Sequence, residues 1–247
     1  MQQIHTIMIG IAVQLLISWL LLKFLQHQNL NALGLYPTRQ PLSALLFGII
    51  IPIVYLCVLY FTISVIVSNP YRVNPQYTFK IFLAATAYVL RAVIYEELIF
   101  RGAILYVLLK RIGAAKAAII SGCCFGFYHW FSWGVFGQPL PMLIAFANTA
   151  ILGYLWALIF IKTRSMYLPA ALHFGYNFAS MVIFSNDKSI GLQWLAKKYI
   201  IDPVTPSQFV GFPLLILYFS GFHVLCFLIW KYCKPMQQGN QSLLRTN

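Results

Sequence analysis

The chain has only four carboxylate side chains in 247 residues, and two of them, Glu96 and Glu97, are adjacent. They sit in Tyr95-Glu96-Glu97-Leu98-Ile99-Phe100-Arg101-Gly102, inside an apolar segment running from about 79 to 109. On insertion scales a charged side chain at the centre of a bilayer costs roughly 2.5–3.5 kcal/mol, so such residues usually face a protein interior or a water-filled cavity. Glu97 and Arg101 are four residues apart and read as an ion pair on one helix face. Glu96 is turned about 100° round the helix and lacks a local counter-ion. A carboxylate in that position is a functional candidate, suited to taking up and returning a proton.

Helical rise, about 1.5 Å per residue, gives depth for the other polar groups. Glu96 lies 14 residues before Lys110, roughly 21 Å from that basic loop, and His129 lies 13 residues after Lys116 on the return helix, about 20 Å from the same loop. His173 and Asn177 follow Arg164 by 9 and 13 residues and share a face at i,i+4. One layer can therefore hold Glu96, Glu97, His129, His173 and Asn177, with Arg101 nearer the basic loops. A single buried histidine is ordinarily a hydrogen-bonded core residue. Two histidines, an amide and two carboxylates at one depth point to a site. His5 and His27 lie near span ends and His223 has no polar companion on its own face, so these three stand outside it.

The elements that must position these residues are membrane helices. Hydrophobic residues make up 61% of the chain and charged residues 9%, against about 25% charged in soluble domains. The mean hydropathy is +0.78. The expected fold is all-α: a polytopic transmembrane helical bundle of about seven spans with an intramembrane polar cavity, in a single membrane-embedded domain over 1–247. The spans are expected at about 4–25, 42–68, 79–109, 115–131, 141–161, 166–184 and 209–230. The uncharged segment 132–140 is expected to dip into the membrane interface, and 185–208 reads as an amphipathic connection holding Asp187 and Asp202. The first span is too long for a signal-peptide core and reads as a retained helix.

The net charge of +13 comes from short loops, which favours anionic lipid headgroups as partners over nucleic acid. Counted by alternate loops, ten Lys and Arg fall on the side of Lys110 and Lys162 and five on the side of Arg72. The positive-inside rule then puts the C-terminus in the cytoplasm and the N-terminus outside, in the inner membrane for a bacterial host. Five cysteines without a Cys-x-x-Cys pair support neither a zinc knuckle nor a redox motif. Cys233, just past the last span, is a minor candidate for acylation. Leu244-Arg245-Thr246-Asn247 is no prenylation box.

Glu96-Glu97-x-x-x-Arg101, then Phe125-x-x-x-His129, then His173-x-x-x-Asn177 resembles the three-motif signature of the CPBP intramembrane proteases. That family, also called Abi, includes CaaX prenyl endopeptidases and bacteriocin-processing relatives. The local text agrees in Glu-Glu-Leu-Ile-Phe-Arg-Gly and in Ser165-Met-Tyr-Leu-Pro-Ala-Ala-Leu-His173, and the likeness covers about 88–180. It implies an endopeptidase acting on a membrane-associated peptide or protein, prenylated or carrying a leader. Glu96 and His129 would activate water, and His173 and Asn177 would stabilise the oxyanion. Glu97 would pair with Arg101, and Phe125 would support the site.

Two mechanisms use these residues. In one, Glu96 and His129 activate water directly and no cofactor is needed. In the other, Glu96, His129 and His173 hold a catalytic zinc, an acceptable ligand set although His-Glu-x-x-His is absent; the metal-free mechanism is the expectation. Other classes fit less well. A non-catalytic peptide-binding or immunity protein would not need Glu96 and His129 intact. A proton-coupled transporter would favour inverted repeats, and none is evident.

Overall fold

The structure is a computed structural model that describes residues 2–35, 42–185, 193–197 and 203–235. Nine α-helices are described. Helix α1 (Gln2–Gln26) leads through a tight turn at Leu30–Leu33 toward α2 (Leu42–Ile66), which accommodates Pro52. Helix α3 (Phe79–Arg101) starts at Thr78, whose side chain accepts from the Ile81 amide and so caps the first turn. Helices α4 (Ala103–Ile112), α5 (Ala114–Ser132), α6 (Pro139–Thr163) and α7 (Tyr167–Phe178) follow. Helices α8 (Gln208–Ile216) and α9 (Phe222–Tyr232) form one long span, joined where the backbone widens to an i→i+5 pattern over Leu217–Gly221. The same widening continues α7 over Ala179–Ile183, and turns of this kind recur near functional sites.

The expected all-α membrane bundle is the observed architecture, and the chain is an integral membrane protein. Two details differ from the sequence expectation. The span expected at 79–109 is two helices, because the chain breaks at Gly102 (φ −80°, ψ −145°), where a Cβ would collide with the Leu98 carbonyl oxygen. Part of the connection expected to be amphipathic forms a strand: β2 (Leu195–Lys197) pairs antiparallel with β1 (Tyr71–Val73), Arg72 opposite Ala196. Asp187, Lys188, Lys198 and Asp202, like Arg39 and Leu244–Asn247, lie outside the described residues.

Among the described residues, four helices are long and apolar enough to cross a membrane: Met8–Gln26, Leu42–Ile66, Pro139–Thr163 and Gln208–Tyr232. The other three expected spans hold α3 with α4, α5, and α7. Helix α3 carries charged residues, α5 is rich in alanine and glycine, and α7 is short. The candidate residues lie on α3, α5 and α7, which are shorter or less apolar than these four. The polar faces of α3, α5 and α7 turn inward, while α1 and the last span present rows of exposed Leu, Ile, Val and Phe outward, as lipid contact requires.

Close packing fixes the inner helices. A Cβ on Gly122 would stand 2.7 Å from the Ala150 carbonyl oxygen, and one on Gly153 would stand 2.9 Å from the Phe125 Cβ. The α5–α6 pair thus meets through small residues, the usual way for membrane helices to approach. On the opposite side a Cβ on Gly175 of α7 would strike the Ile49 carbonyl oxygen of α2. Gly175→Val is therefore expected to push α2 and α7 apart and lower stability by about 1–3 kcal/mol, the usual range for overpacking. Thermal unfolding in detergent checks this; an unchanged midpoint would show that the contact yields freely.

Candidate active site

Three inner helices bring the motif residues to one buried cluster. Glu97 and Arg101 share a face of α3, and the Arg101 guanidinium lies 3.1 Å from Glu97 Oε1, with the two side chains 0% and 1% exposed. The same Oε1 meets His173 Nδ1 of α7 at 2.8 Å. Paired with arginine, Glu97 is an anion that can only accept, so Nδ1 donates. Glu97 was expected mainly as the partner of Arg101; it also holds the histidine of the third motif.

The other nitrogen of that ring, Nε2, points to Glu96 Oε2 at 3.6 Å. His173 therefore stands between the two glutamates. Glu96 is the more open of the pair, its side chain 14% exposed, and Tyr128 stands beside its carboxylate. This matches the helical geometry, which turns Glu96 away from the Glu97–Arg101 face.

His129 of α5 is held from its own helix. Its Nδ1 lies 2.8 Å from the Phe125 carbonyl oxygen, which can only accept, so Nδ1 carries the hydrogen. In the neutral ring Nε2 is then left with a lone pair. Phe125 supports three groups at once: its ring lies 4.5 Å from the His129 ring, 4.5 Å from the Arg101 guanidinium carbon and 5.9 Å from the His173 ring. Ser121, one turn earlier, donates to the Phe100 carbonyl oxygen at 2.8 Å, tying α5 to the helix that carries the glutamates.

Glu96, His129, His173 and Asn177 line one cavity of about 1050 Å³, shared with Tyr128, Trp156 and Tyr176. Aromatic and aliphatic side chains supply most of the remaining wall. Ser180 and Met181 of the widened turn after α7, and Tyr218 and Phe219 of the one before α9, also face it. Asn177 reaches the cavity one turn beyond His173, as the spacing predicts.

Sequence reasoning missed Trp156 of α6, which stacks on His173 with ring centroids 4.5 Å apart. No spacing pattern on α6 signals it. It also missed the role of Gly153, whose carbonyl oxygen lies 3.5 Å from Arg101 Nη2. His223, set aside for want of a companion on its own face, finds one across the bundle, its Nε2 2.8 Å from the Asn148 carbonyl oxygen. His27 follows α1 with a left-handed φ of 51°. The five cysteines are free.

The zinc alternative needs Glu96, His129 and His173 to close on one ion. Among the described residues no group of three His, Cys, Asp or Glu side chains is arranged to hold a metal.

No curated protein and no solved structure matches the chain. One family does, over the helices that build the cluster. Residues 78–179 match the family described as Type II CAAX prenyl endopeptidase Rce1-like, a stretch that starts at the cap of α3 and ends just past Asn177. This segment is similar to that family, and Glu96, His129 and His173 lie inside it.

Proposed function

We propose that the protein is an intramembrane endopeptidase that cuts a peptide bond in a membrane-associated, CaaX-type substrate, using water activated by Glu96 and His129. The observation that carries this reading is the different environment of the two glutamates. Glu97 is locked between Arg101 and His173, whereas Glu96 faces the cavity that His129 and Asn177 also line. One carboxylate is a fixed counter-ion and the other is available to a reacting molecule.

In the proposed reaction, a water in the cavity loses a proton to Glu96, assisted by His129, as its oxygen attacks the scissile carbonyl carbon. The developing oxyanion takes hydrogen bonds from Asn177 and from His173 Nε2. Since Nδ1 already donates to Glu97, donation from Nε2 requires a ring carrying both protons, and both its partners are carboxylates. When the tetrahedral intermediate collapses, the C–N bond breaks and the leaving amine takes the proton back from Glu96. Removal of one oxyanion donor costs on the order of 10²–10³ in rate; His173→Ala is expected to lose at least that.

The test is purified protein in lipid vesicles with a prenylated CaaX-type peptide, assayed before and after a membrane-permeable chelator and followed by elemental analysis. Activity that survives chelation without stoichiometric metal is the expected result. One zinc per chain, lost and regained together with activity, would replace this mechanism with a metal-dependent one. A peptide that binds but is never cut would favour a non-catalytic binding protein. The same reading puts the C-terminus in the cytoplasm, on the side of Lys110 and Lys162, and makes the lipid headgroups there the partners of these basic loops.

A further inference from the structure

Trp156 sits at the centre of the ionic cluster without carrying charge and outside all three motif segments. It projects from α6 and is 2% exposed. Its indole stacks on the His173 imidazole, centroids 4.5 Å apart and planes 26° from parallel. The Arg101 guanidinium carbon lies 5.2 Å from the same indole, and the Phe125 ring lies 5.9 Å away at 64°.

The hydrogen bond from His173 Nδ1 to Glu97 fixes one atom of the ring. It leaves the ring free to tilt about that point, and with it the direction of Nε2. A stacked face removes this freedom, because tilting the ring would open a gap on one side and a clash on the other. The electron-rich indole face also suits a ring that bears positive charge while it donates from Nε2.

Trp156 is itself firmly placed. Gly153, three residues earlier on α6, lets α5 approach within contact of the backbone and offers its carbonyl oxygen to Arg101. The α6 backbone is thereby held to the same guanidinium that anchors Glu97.

Resting on the peptidase reading, we infer that Trp156 is a positioning residue for His173. Glu97 holds one end of the imidazole, and the stacked indole sets the plane in which Nε2 meets the reacting carbonyl. Although Trp156 contributes to the cavity wall, it acts in this role through the imidazole it stacks on. Its effect is on turnover rather than on substrate binding.

The test compares Trp156→Phe, which keeps an aromatic face, with Trp156→Leu, which removes it. Trp156→Met is the third variant, filling the space with a flexible chain should the leucine protein fail to accumulate. The leucine and methionine variants are expected to lower kcat by about 10- to 100-fold, the scale on which small misplacements act, with KM within about 2-fold of wild type. The phenylalanine variant is expected to recover most of the rate. A loss that falls on KM alone, wild-type kcat in the leucine or methionine protein, or a phenylalanine variant as slow as leucine would each overturn the inference. Wild-type cleavage that Glu96→Gln abolishes upholds the peptidase reading independently of these results. Absence of Glu96-dependent cleavage removes that reading and this inference together.

Discussion

Glu96→Gln is expected to abolish peptide cleavage, with a loss of at least the 10²–10⁴-fold that a positioned acid–base group supplies, while the protein inserts and accumulates normally. The amide keeps the size of the side chain and its place in the cavity wall, but it cannot accept a proton from water. Little structural cost is expected. Glu96 is the more exposed of the two glutamates, and its nearest histidine nitrogen is 3.6 Å away, beyond hydrogen-bond distance. Cleavage assays on purified variant, with thermal unfolding as the control for folding, decide the matter. Activity within a few-fold of wild type would remove Glu96 from the mechanism.

The second large effect is expected at the neighbouring residue, and it is of a different kind. Glu97→Gln removes the charge that balances Arg101, a guanidinium with no exposure at all. Around the arginine stay the Gly153 carbonyl oxygen at 3.5 Å, the faces of Phe125, Trp156 and Phe100, and the Glu96 carboxylate, which is not in ion-pair contact with it. Breaking a buried pair by neutralising one partner costs about 3–5 kcal/mol, because the other charge stays buried. The variant is expected to unfold at clearly lower temperature in detergent. Activity should fall as well, since His173 loses the anion at its Nδ1. A Glu97→Gln protein as stable as wild type yet inactive would make Glu97, rather than Glu96, the better candidate for the chemistry.

Rarity made the candidate cluster legible in the sequence. With so few carboxylates in the chain, Glu96 and Glu97 stood out, and counting helical rise from the basic loops brought His129, His173 and Asn177 to the same level. The structure puts Glu96, His129, His173 and Asn177 around one cavity. The Glu97–Arg101 pair was legible too, because i,i+4 neighbours are a local property of a helix. The Glu97–His173 bond was not, since which residues meet across a bundle depends on how helices rotate about their axes, and spacing along one helix says nothing of that. Trp156 was hidden for the same reason, on a helix whose mostly apolar sequence does not single it out. The break at Gly102 was masked by continuous hydrophobicity on either side, which specifies burial without specifying a straight helix. The short β1–β2 pairing depends on three residues at each of two distant places, too few for a period-2 pattern to register.

The way the ionic cluster is distributed along the chain has a consequence for biogenesis. Glu97 and Arg101 leave the ribosome together on α3, but the histidine that shares Glu97 lies 76 residues downstream, and the Gly153 carbonyl that meets Arg101 lies 52 residues downstream. At translation rates of 5–20 residues per second, the 76-residue interval lasts about 4–15 s. During that time α3 can offer its acidic pair only the arginine one turn away. The local pair serves as an internal counter-ion that lowers the cost of holding α3 in or beside the insertion machinery until α5, α6 and α7 arrive. Removing it would therefore act on nascent chains as well as on finished ones, shortening their lifetime in the cell before any substrate is met.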